Sequence, residues 1–201
     1  MKKILLLLSL LATAVAGFSA DTLSADDRKK GLAYLEKTRA GVVAAVKGLS
    51  EAQLNFKPAP ERWSVAQTLE HIASAEDMLR DLAADKAMQG PARPAGEDVK
   101  AIDEMILKMI PDRSKKATAP EPLIPVNRYG STKEALAHFQ ASRAKTIAFM
   151  KETAGLRDHA IDSPLGKKLD PYQWLLFVAA HSERHTKQML EVKADPKFPK
   201  K

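Results

Sequence analysis

The chain has 201 residues, of which 45% are hydrophobic and 28% are charged, and its formal net charge is +7. This length and composition predict one globular domain with an ordinary core and exclude a disordered, collagen-like or multi-span membrane protein. Because the chain contains no cysteine, disulfide bonds, thiolate metal sites and a cysteine nucleophile are excluded. Any metal ion must be bound by histidine or carboxylate side chains.

The first twenty residues have the pattern of a secretory signal peptide. Lys2 and Lys3 precede an apolar run over residues 4–11, and small residues follow as far as Ala20. The alternative is an uncleaved membrane anchor, but the apolar run is shorter than the ~20 residues that a membrane span needs. We therefore predict that residues 1–20 form a signal peptide, with cleavage after Ala16 or after Ala20, and that the protein is exported, periplasmic or secreted, with no stable membrane span.

Apolar residues at three- and four-residue spacing predict a first helix over residues 26–47. A short helical turn at 50–53 and a proline-containing loop follow. The second helix begins at Ser64, because Ser64 and Gln67 form the sequence pattern of a capping box. Its apolar face predicts that it continues to about residue 86.

Proline residues are frequent between residues 90 and 129, where the sequence also predicts a short helix over 98–110. A third helix is expected over residues 132–154. The fourth begins after Asp170 as N-cap and extends to about residue 192. No segment shows the sustained alternation of a β-strand. The fold class is therefore all-α, a four-helix bundle with a long Pro-rich insertion between helices 2 and 3.

The bundle domain is predicted to occupy residues 21–195, and residues 196–201 form a basic C-terminal tail that we expect to be solvated. The basic residues do not form a stripe with interleaved aromatic side chains, so nucleic-acid binding is not expected. An exposed face of the bundle would permit a homodimer.

Two histidines on the fourth helix are the strongest indication of chemistry. At about 100° per residue, His181 and His185 share a face with Trp174 and Val178. Buried imidazoles need polar partners. A shared metal ion would satisfy both, and so would separate hydrogen bonds to buried groups, and the spacing alone leaves both interpretations open.

The segment from His181 to His185 is not a zinc-protease motif. In that motif a glutamate directly follows the first histidine, whereas this chain has Ser182 there. Glu183 lies about 200° around the helix from His181. We therefore expect Glu183 to face solvent, which leaves a metalloprotease without its general base.

A metal site needs a third ligand, and His71, His138 and His159 are the remaining histidines. His138 lies on the polar side of the third helix and His159 in a polar loop, so both are expected at the surface. His71 flanks the apolar face of the second helix. It is the best candidate for the third ligand.

Three features together resemble the DinB-like family of metal-binding four-helix bundles, which includes YfiT-type hydrolases and thiol-dependent transferases. The first is the proline-rich segment 57–65, which leads through a Trp-Ser helix entry to His71. The second is the His-Ser-Glu-Arg-His segment at 181–185 followed by Gln188 and Met189. The third is the order of four helices with a long connection before the third. The resemblance covers most of residues 26–192.

This resemblance implies a divalent metal ion, nickel or zinc, held by His71, His181 and His185, with water at the open positions. Three neutral ligands would leave the full charge of the ion in the site, where it acidifies water and polarises a carbonyl group. Gln188, one turn from His185, could orient a ligand or a water molecule, or be an ordinary polar helix residue.

The other candidate residues have structural interpretations. Trp63 and Trp174 are expected to be core anchors. Glu76 and Asp77 occupy different sides of the second helix, so we expect solvated charges and no acid–base pair. No Gly-rich phosphate loop and no serine-hydrolase motif occurs.

The sequence favours a metal-dependent hydrolase that acts on an unidentified small molecule. A thiol-dependent transferase is the alternative within the same family, although export would separate it from the cytoplasmic thiols that it needs. A non-catalytic metal- or ligand-binding bundle is a further alternative, as is a metal-free bundle with hydrogen-bonded core histidines. Catalytic residues beyond the metal ligands are not identified by the sequence.

Overall fold

Four long helices form the frame of the protein in a computed structural model that describes residues 23–200. The predicted signal peptide over residues 1–20 lies outside the described residues. In chain order the helices are α1 (Ala25–Val46), the short α2 (Glu51–Asn55), α3 (Val65–Asp81), α4 (Val99–Met109), α5 (Thr132–Glu152) and α6 (Pro171–Lys193). Within the described part of the chain, no helix is both long and apolar enough to cross a membrane.

The helices begin where the capping residues predict. Ser64 accepts a hydrogen bond from the Gln67 backbone, and the Gln67 side chain accepts one from the Ser64 backbone, so the predicted capping box is present. Asp170 and Gln173 form a second capping box at the start of α6. After α3 the chain continues through one π-helical segment, Leu82–Ala87, close to the predicted end at residue 86.

The four long helices pack in the cyclic order α1, α6, α3, α5, because α1 contacts α6 and α5 while α3 contacts α5 and α6. Gly31 allows α1 to approach α6 closely, since a Cβ atom at this position would lie 2.8 Å from the ring of Tyr172. The fold class is therefore confirmed as an all-α four-helix bundle. The helices that carry the candidate histidines, α3 and α6, are direct neighbours.

The connection between α3 and α5 lies along α6 and α3. The helix α4 packs against α6, and a 3₁₀ turn at Glu121–Leu123 contacts α3. Arg184 of α6 donates hydrogen bonds to the carbonyl oxygens of Asp112 and Lys115. The irregular part of the connection is thereby attached to the two helices that carry the histidines.

Two features were not expected from the sequence. A short antiparallel hairpin pairs β1 (Ile161–Asp162) with β2 (Lys168–Leu169), and strands of two residues are too short to show alternation. The basic tail is not wholly solvated, because Phe198 packs edge-on against Phe56 with ring centroids 5.6 Å apart.

Candidate metal centre

Three histidine side chains meet between α3 and α6. His71 of α3 places its Nε2 atom 3.2 Å from Nε2 of His181 and 3.2 Å from Nε2 of His185, both on α6. Among the described residues, these three form the one cluster of potential metal ligands, with ligand atoms within 4.8 Å of one another. They are the three histidines that the sequence nominated. His71 and His185 are buried, with 3% and 8% exposure, and His181 is partly exposed.

Hydrogen bonds on the far side of two rings decide where their protons lie. His71 Nδ1 lies 2.8 Å from the carbonyl oxygen of Leu123, which can only accept, so Nδ1 carries the proton. His185 Nδ1 lies 2.8 Å from Gln188 Oε1 and donates in the same way. In the neutral rings, both Nε2 atoms therefore point lone pairs into the cluster.

Burial keeps these rings neutral. Desolvation is the largest cause that lowers the pKa of all three histidines, and it lowers that of His185 to about 3. The positive charge that a protonated neighbour would carry, and that of Arg184, lower the pKa of His181 and His185 further. The cluster is therefore a set of uncharged imidazoles.

The geometry of the cluster fits a metal ion. Two neutral nitrogens that face each other with lone pairs cannot hydrogen-bond, yet the two Nε2 atoms of His71 and His185 lie 3.2 Å apart. With zinc–nitrogen bonds of about 2.0–2.1 Å, tetrahedral ligand atoms lie about 3.3 Å from each other. A cation between the rings would convert an unfavourable contact into two coordinate bonds.

Trp63 lies beside the histidines, so the expectation that it is only a core anchor was incomplete. Its ring centroid is 4.8 Å from that of His71 and 6.4 Å from that of His185, and the side chain is partly exposed. Trp174 is buried and packs against Phe177, as predicted. Trp63 therefore forms one wall of the cluster.

The other two histidines lie apart from the cluster. His138 of α5 hydrogen-bonds Asp77 through Nε2 and keeps a partly exposed side chain. His159 lies in a loop that forms an isolated β-bridge with Ala92. Neither joins the potential metal ligands.

Two predicted solvent positions need correction. Glu183 accepts a hydrogen bond of 2.8 Å from the Tyr34 hydroxyl and pairs with Lys187, so it is only partly exposed. Glu76 is 1% exposed and binds the guanidinium of Arg143 on α5. The prediction of a solvated Glu76 was wrong because it considered α3 without the helix facing it. Arg143 lies one turn after Phe139 on the inward face of α5, a signal that could have revealed the pair.

Glu70, the neighbour of His71, fixes the segment that hydrogen-bonds His71. Its carboxylate accepts hydrogen bonds from the backbone N–H groups of Val126, Asn127 and Arg128 at 2.7–3.0 Å. This segment begins three residues after Leu123, whose carbonyl oxygen orients His71. Adjacent residues of α3 thus provide a candidate ligand and the anchor of the segment that orients it.

The fold and the site together define this protein as a four-helix bundle with a potential metal site, in which three imidazoles converge between two neighbouring helices. The chain belongs to the DinB superfamily, whose family model matches residues 34–189. It is 31% identical over 151 residues to the uncharacterized protein YuaE of Bacillus subtilis strain 168, covering 74% of this chain and 88% of YuaE. The resemblance that the motifs indicated is confirmed.

A solved structure shows the same fold. YfiT of Bacillus subtilis, described as a probable metal-dependent hydrolase with an unusual four-helix bundle topology, superposes with a TM-score of 0.54 at 17% identity. The match covers 86% of this chain and 89% of YfiT. At this level of identity, the likeness establishes the four-helix architecture.

Proposed function

We propose that the protein binds a divalent metal ion through the Nε2 atoms of His71, His181 and His185 and hydrolyses a small-molecule substrate there. The observation that carries this proposal is the convergence of the Nε2 lone pairs of His71 and His185, whose Nδ1 protons are directed to Leu123 and Gln188. The description of YfiT as a probable metal-dependent hydrolase supports the same function.

The donor set favours nickel or zinc. Imidazole nitrogens suit both ions, whereas calcium and magnesium prefer oxygen ligands. No carboxylate joins the cluster within the described residues, so the ligands would leave the charge of the ion uncompensated. A divalent ion at this position supplies Lewis acidity, which is the chemistry that hydrolysis of an ester or amide requires.

The number of ligands supports a catalytic site. Structural zinc sites usually have four protein ligands, whereas catalytic sites have three and an open position. Within the described part of the chain, no fourth histidine or carboxylate joins the three histidines. The segment after α4 contributes the Leu123 carbonyl to Nδ1 of His71 and not to the centre of the cluster.

A non-catalytic metal-binding bundle is the second candidate, and the position of Glu183 favours it. Glu183 is the carboxylate closest in sequence to the histidine pair, but it is turned to Tyr34 and Lys187. It cannot act as a general base at the cluster in this position.

Elemental analysis of untagged protein, purified without chelator, tests metal binding. We expect about one nickel or zinc ion per chain in the wild type, and loss of that ion in the His181→Ala/His185→Ala double variant. The His138→Ala variant is the control, because it removes a histidine outside the cluster. Equal metal content in all three proteins, unchanged after ions are added, would refute the site.

Activity assays then separate the two candidates. A panel of small esters, amides and lactones is tested with the metal-loaded wild type and with the double variant. Hydrolysis that requires the bound ion would support the hydrolase, and a stoichiometric ion without any hydrolysis would support the non-catalytic bundle.

We also propose that the protein is exported, on the basis of the signal-peptide pattern in residues 1–20. Intact-mass measurement of the protein from separated cell fractions tests this proposal. Export predicts a mature chain in the periplasm or medium that lacks the first ~20 residues. A full-length chain in the cytoplasm would contradict it.

A further inference from the structure

We propose that Arg113 is a positioning residue of the metal centre: by fixing the amide of Gln188, it holds the proton of His185 on Nδ1 and the lone pair on Nε2. The inference rests on the proposed function, because Arg113 can support metal binding only if an ion binds at the cluster. The hydrogen bonds from which it is argued do not depend on the ion. It assigns a role to the segment that follows α4.

Gln188 lies between the arginine and the histidine. Its Oε1 atom is 3.2 Å from Nη1 of Arg113 and 2.8 Å from Nδ1 of His185. Both contacts use the same oxygen. A guanidinium group has only donors, so Arg113 requires the oxygen end of the amide to face it.

The orientation of this amide decides which nitrogen of His185 can bind a metal. If the NH₂ end faced His185, Nδ1 would have to accept and the ring proton would move to Nε2. That proton would point at Nε2 of His71, 3.2 Å away, and would occupy the position of the metal. Arg113 excludes this arrangement because it cannot accept a hydrogen bond from the NH₂ group.

Arg113 is itself held in place by α6. Its Nε and Nη2 atoms donate to the two carboxylate oxygens of Glu191 at 2.6 and 2.8 Å. This bidentate contact fixes the guanidinium plane and directs Nη1 towards Gln188, one turn earlier on the same helix. The side chain is about one-fifth exposed, so water screens these contacts only in part.

His71 does not need an additional residue to select its tautomer. Its Nδ1 partner is the backbone carbonyl oxygen of Leu123, which has no donor end and allows one tautomer only. A side-chain amide can present either its oxygen or its NH₂ group to the histidine, and a third group must therefore select its orientation. The difference between the two partners explains why an arginine is present on the His185 side.

The test uses full-length protein with four variants. Arg113→Met removes the donor but keeps an apolar stem. Arg62→Gln is the matched control, because Arg62 also pairs with Glu191 but forms no hydrogen bond with Gln188 in the described part of the chain. Gln188→Glu replaces the reversible amide by a carboxylate, which can only accept. The combination Arg113→Met/Gln188→Glu tests whether the carboxylate removes the need for Arg113.

The affinity for Zn²⁺ or Ni²⁺ is measured by competition with a chromophoric chelator, and urea unfolding verifies that each variant folds. We expect Arg113→Met to weaken binding about 10-fold, the size typical for groups that orient a metal ligand. Arg62→Gln should change it less than about 2-fold, and Arg113→Met in the Gln188→Glu background should have little effect. The proposal would be overturned if Arg113→Met left the metal affinity unchanged or if Arg62→Gln weakened it equally. It would also be overturned if Arg113→Met weakened the affinity by the same factor in the Gln188→Glu background.

The tautomer of His185 in metal-free protein provides a readout that does not depend on metal binding. Long-range ¹H–¹⁵N NMR spectra should show the proton on Nδ1 in the wild type and a shift towards Nε2 in Arg113→Met. The same tautomer in both proteins would overturn the role of Arg113. If the wild type bound no metal but the tautomer shifted, the proposed function would fail and the positioning role of Arg113 would stand.

Discussion

Replacing Glu76 by Gln should destabilise the bundle by about 3–5 kcal/mol, because it leaves a buried guanidinium without its counter-charge. The side chains of Glu76 and Arg143 are both 0% exposed. Two parallel hydrogen bonds of 2.7 Å join them. Glu76 lies five residues after His71 on α3, and Arg143 donates to Ser182, the residue that follows His181.

The size of the effect follows from the complete pairing of Arg143. Besides the two contacts with Glu76, its N–H groups donate to the Leu35 carbonyl, the Thr38 hydroxyl and the Ser182 hydroxyl, each at 2.8 Å. All five donors of the guanidinium are thus used. A glutamine would remove the negative charge. Its NH₂ group would face one donor of the guanidinium, and its oxygen would be a weaker acceptor than a carboxylate oxygen for the other.

Removing both charges should cost less than removing one. In Glu76→Leu/Arg143→Met no buried charge remains, and Thr38 and Thr146 still have hydrogen bonds to carbonyl oxygens of their own helices. Buried ion pairs replaced by apolar residues of similar volume are often nearly neutral. We therefore expect the double variant to be more stable than Glu76→Leu alone or Arg143→Met alone, with a coupling energy of about 3 kcal/mol or more.

Urea unfolding followed by circular dichroism, in the presence of a chelator, gives the free energies without a metal contribution. Glu36→Gln is the control, because its pair with Arg39 is solvent-exposed and should contribute less than about 1 kcal/mol. Thr146→Val is a milder variant that removes one hydrogen bond to Glu76. A loss below about 1 kcal/mol in Glu76→Gln, or additive losses in the double variant, would refute the reasoning.

Three further predictions concern the candidate metal centre. Because the pKa of each of the three histidines is lower in the folded than in the unfolded state, and that of His185 is about 3, the unfolded state binds more protons below pH 6.5. Metal-free protein should therefore lose stability as the pH falls below 6.5, and His185 alone should contribute up to roughly 1.4 kcal/mol per pH unit as the pH falls towards 3. A flat stability profile from urea unfolding between pH 6.5 and 3 would contradict this. Glu70→Gln should increase amide exchange at residues 126–128 about 10-fold or more, as measured by hydrogen-exchange mass spectrometry. The control Glu152→Gln changes an exposed position and should leave this exchange unchanged. Equal exchange in the two variants would count against the role of Glu70 as the anchor of this segment. Paramagnetic Ni²⁺ should quench the fluorescence of Trp63, because the Trp63 ring lies beside His71. Quenching should therefore persist in Trp174→Phe and disappear in Trp63→Phe. Quenching that remains in Trp63→Phe would place the ion elsewhere.

The helices and the histidine cluster could be predicted because their signals are local or periodic. A capping box such as Ser64 with Gln67 depends on residues three apart, and it marks the start of α3 in the sequence and in the structure. The four-residue spacing of His181 and His185 places them on one face of α6 whatever packs against it. His71 was nominated from its place beside an apolar face, and the structure brings it to the same point.

The contacts that depend on two distant segments could not be predicted. The burial of Glu76 is set by Arg143 on α5, 67 residues later, and periodicity on α3 alone assigned Glu76 to solvent. The hydrogen bonds of Leu123 and Arg113 come from an irregular connection, where no period relates sequence position to direction. The sequence therefore predicted the cluster and offered Gln188 as one group that could orient it, but it did not indicate Leu123 or Arg113.

The ion pair of Arg143 has a consequence for how the candidate metal centre is assembled. Its guanidinium contacts α1 through Leu35 and Thr38, α3 through Glu76 and α6 through Ser182, while Arg143 itself belongs to α5. One side chain thus joins all four helices of the bundle. Ser182 directly follows His181 in the chain, so this network fixes the spacing of the two helices that carry the histidines. The packing of α3 against α6 brings the imidazoles together as part of the four-helix fold, whereas small zinc domains fold only on binding their metal. We therefore expect metal affinity at such a centre to depend on the tautomers and orientation of the rings, which are set by the Leu123 carbonyl, by Gln188 and, as proposed above, by Arg113.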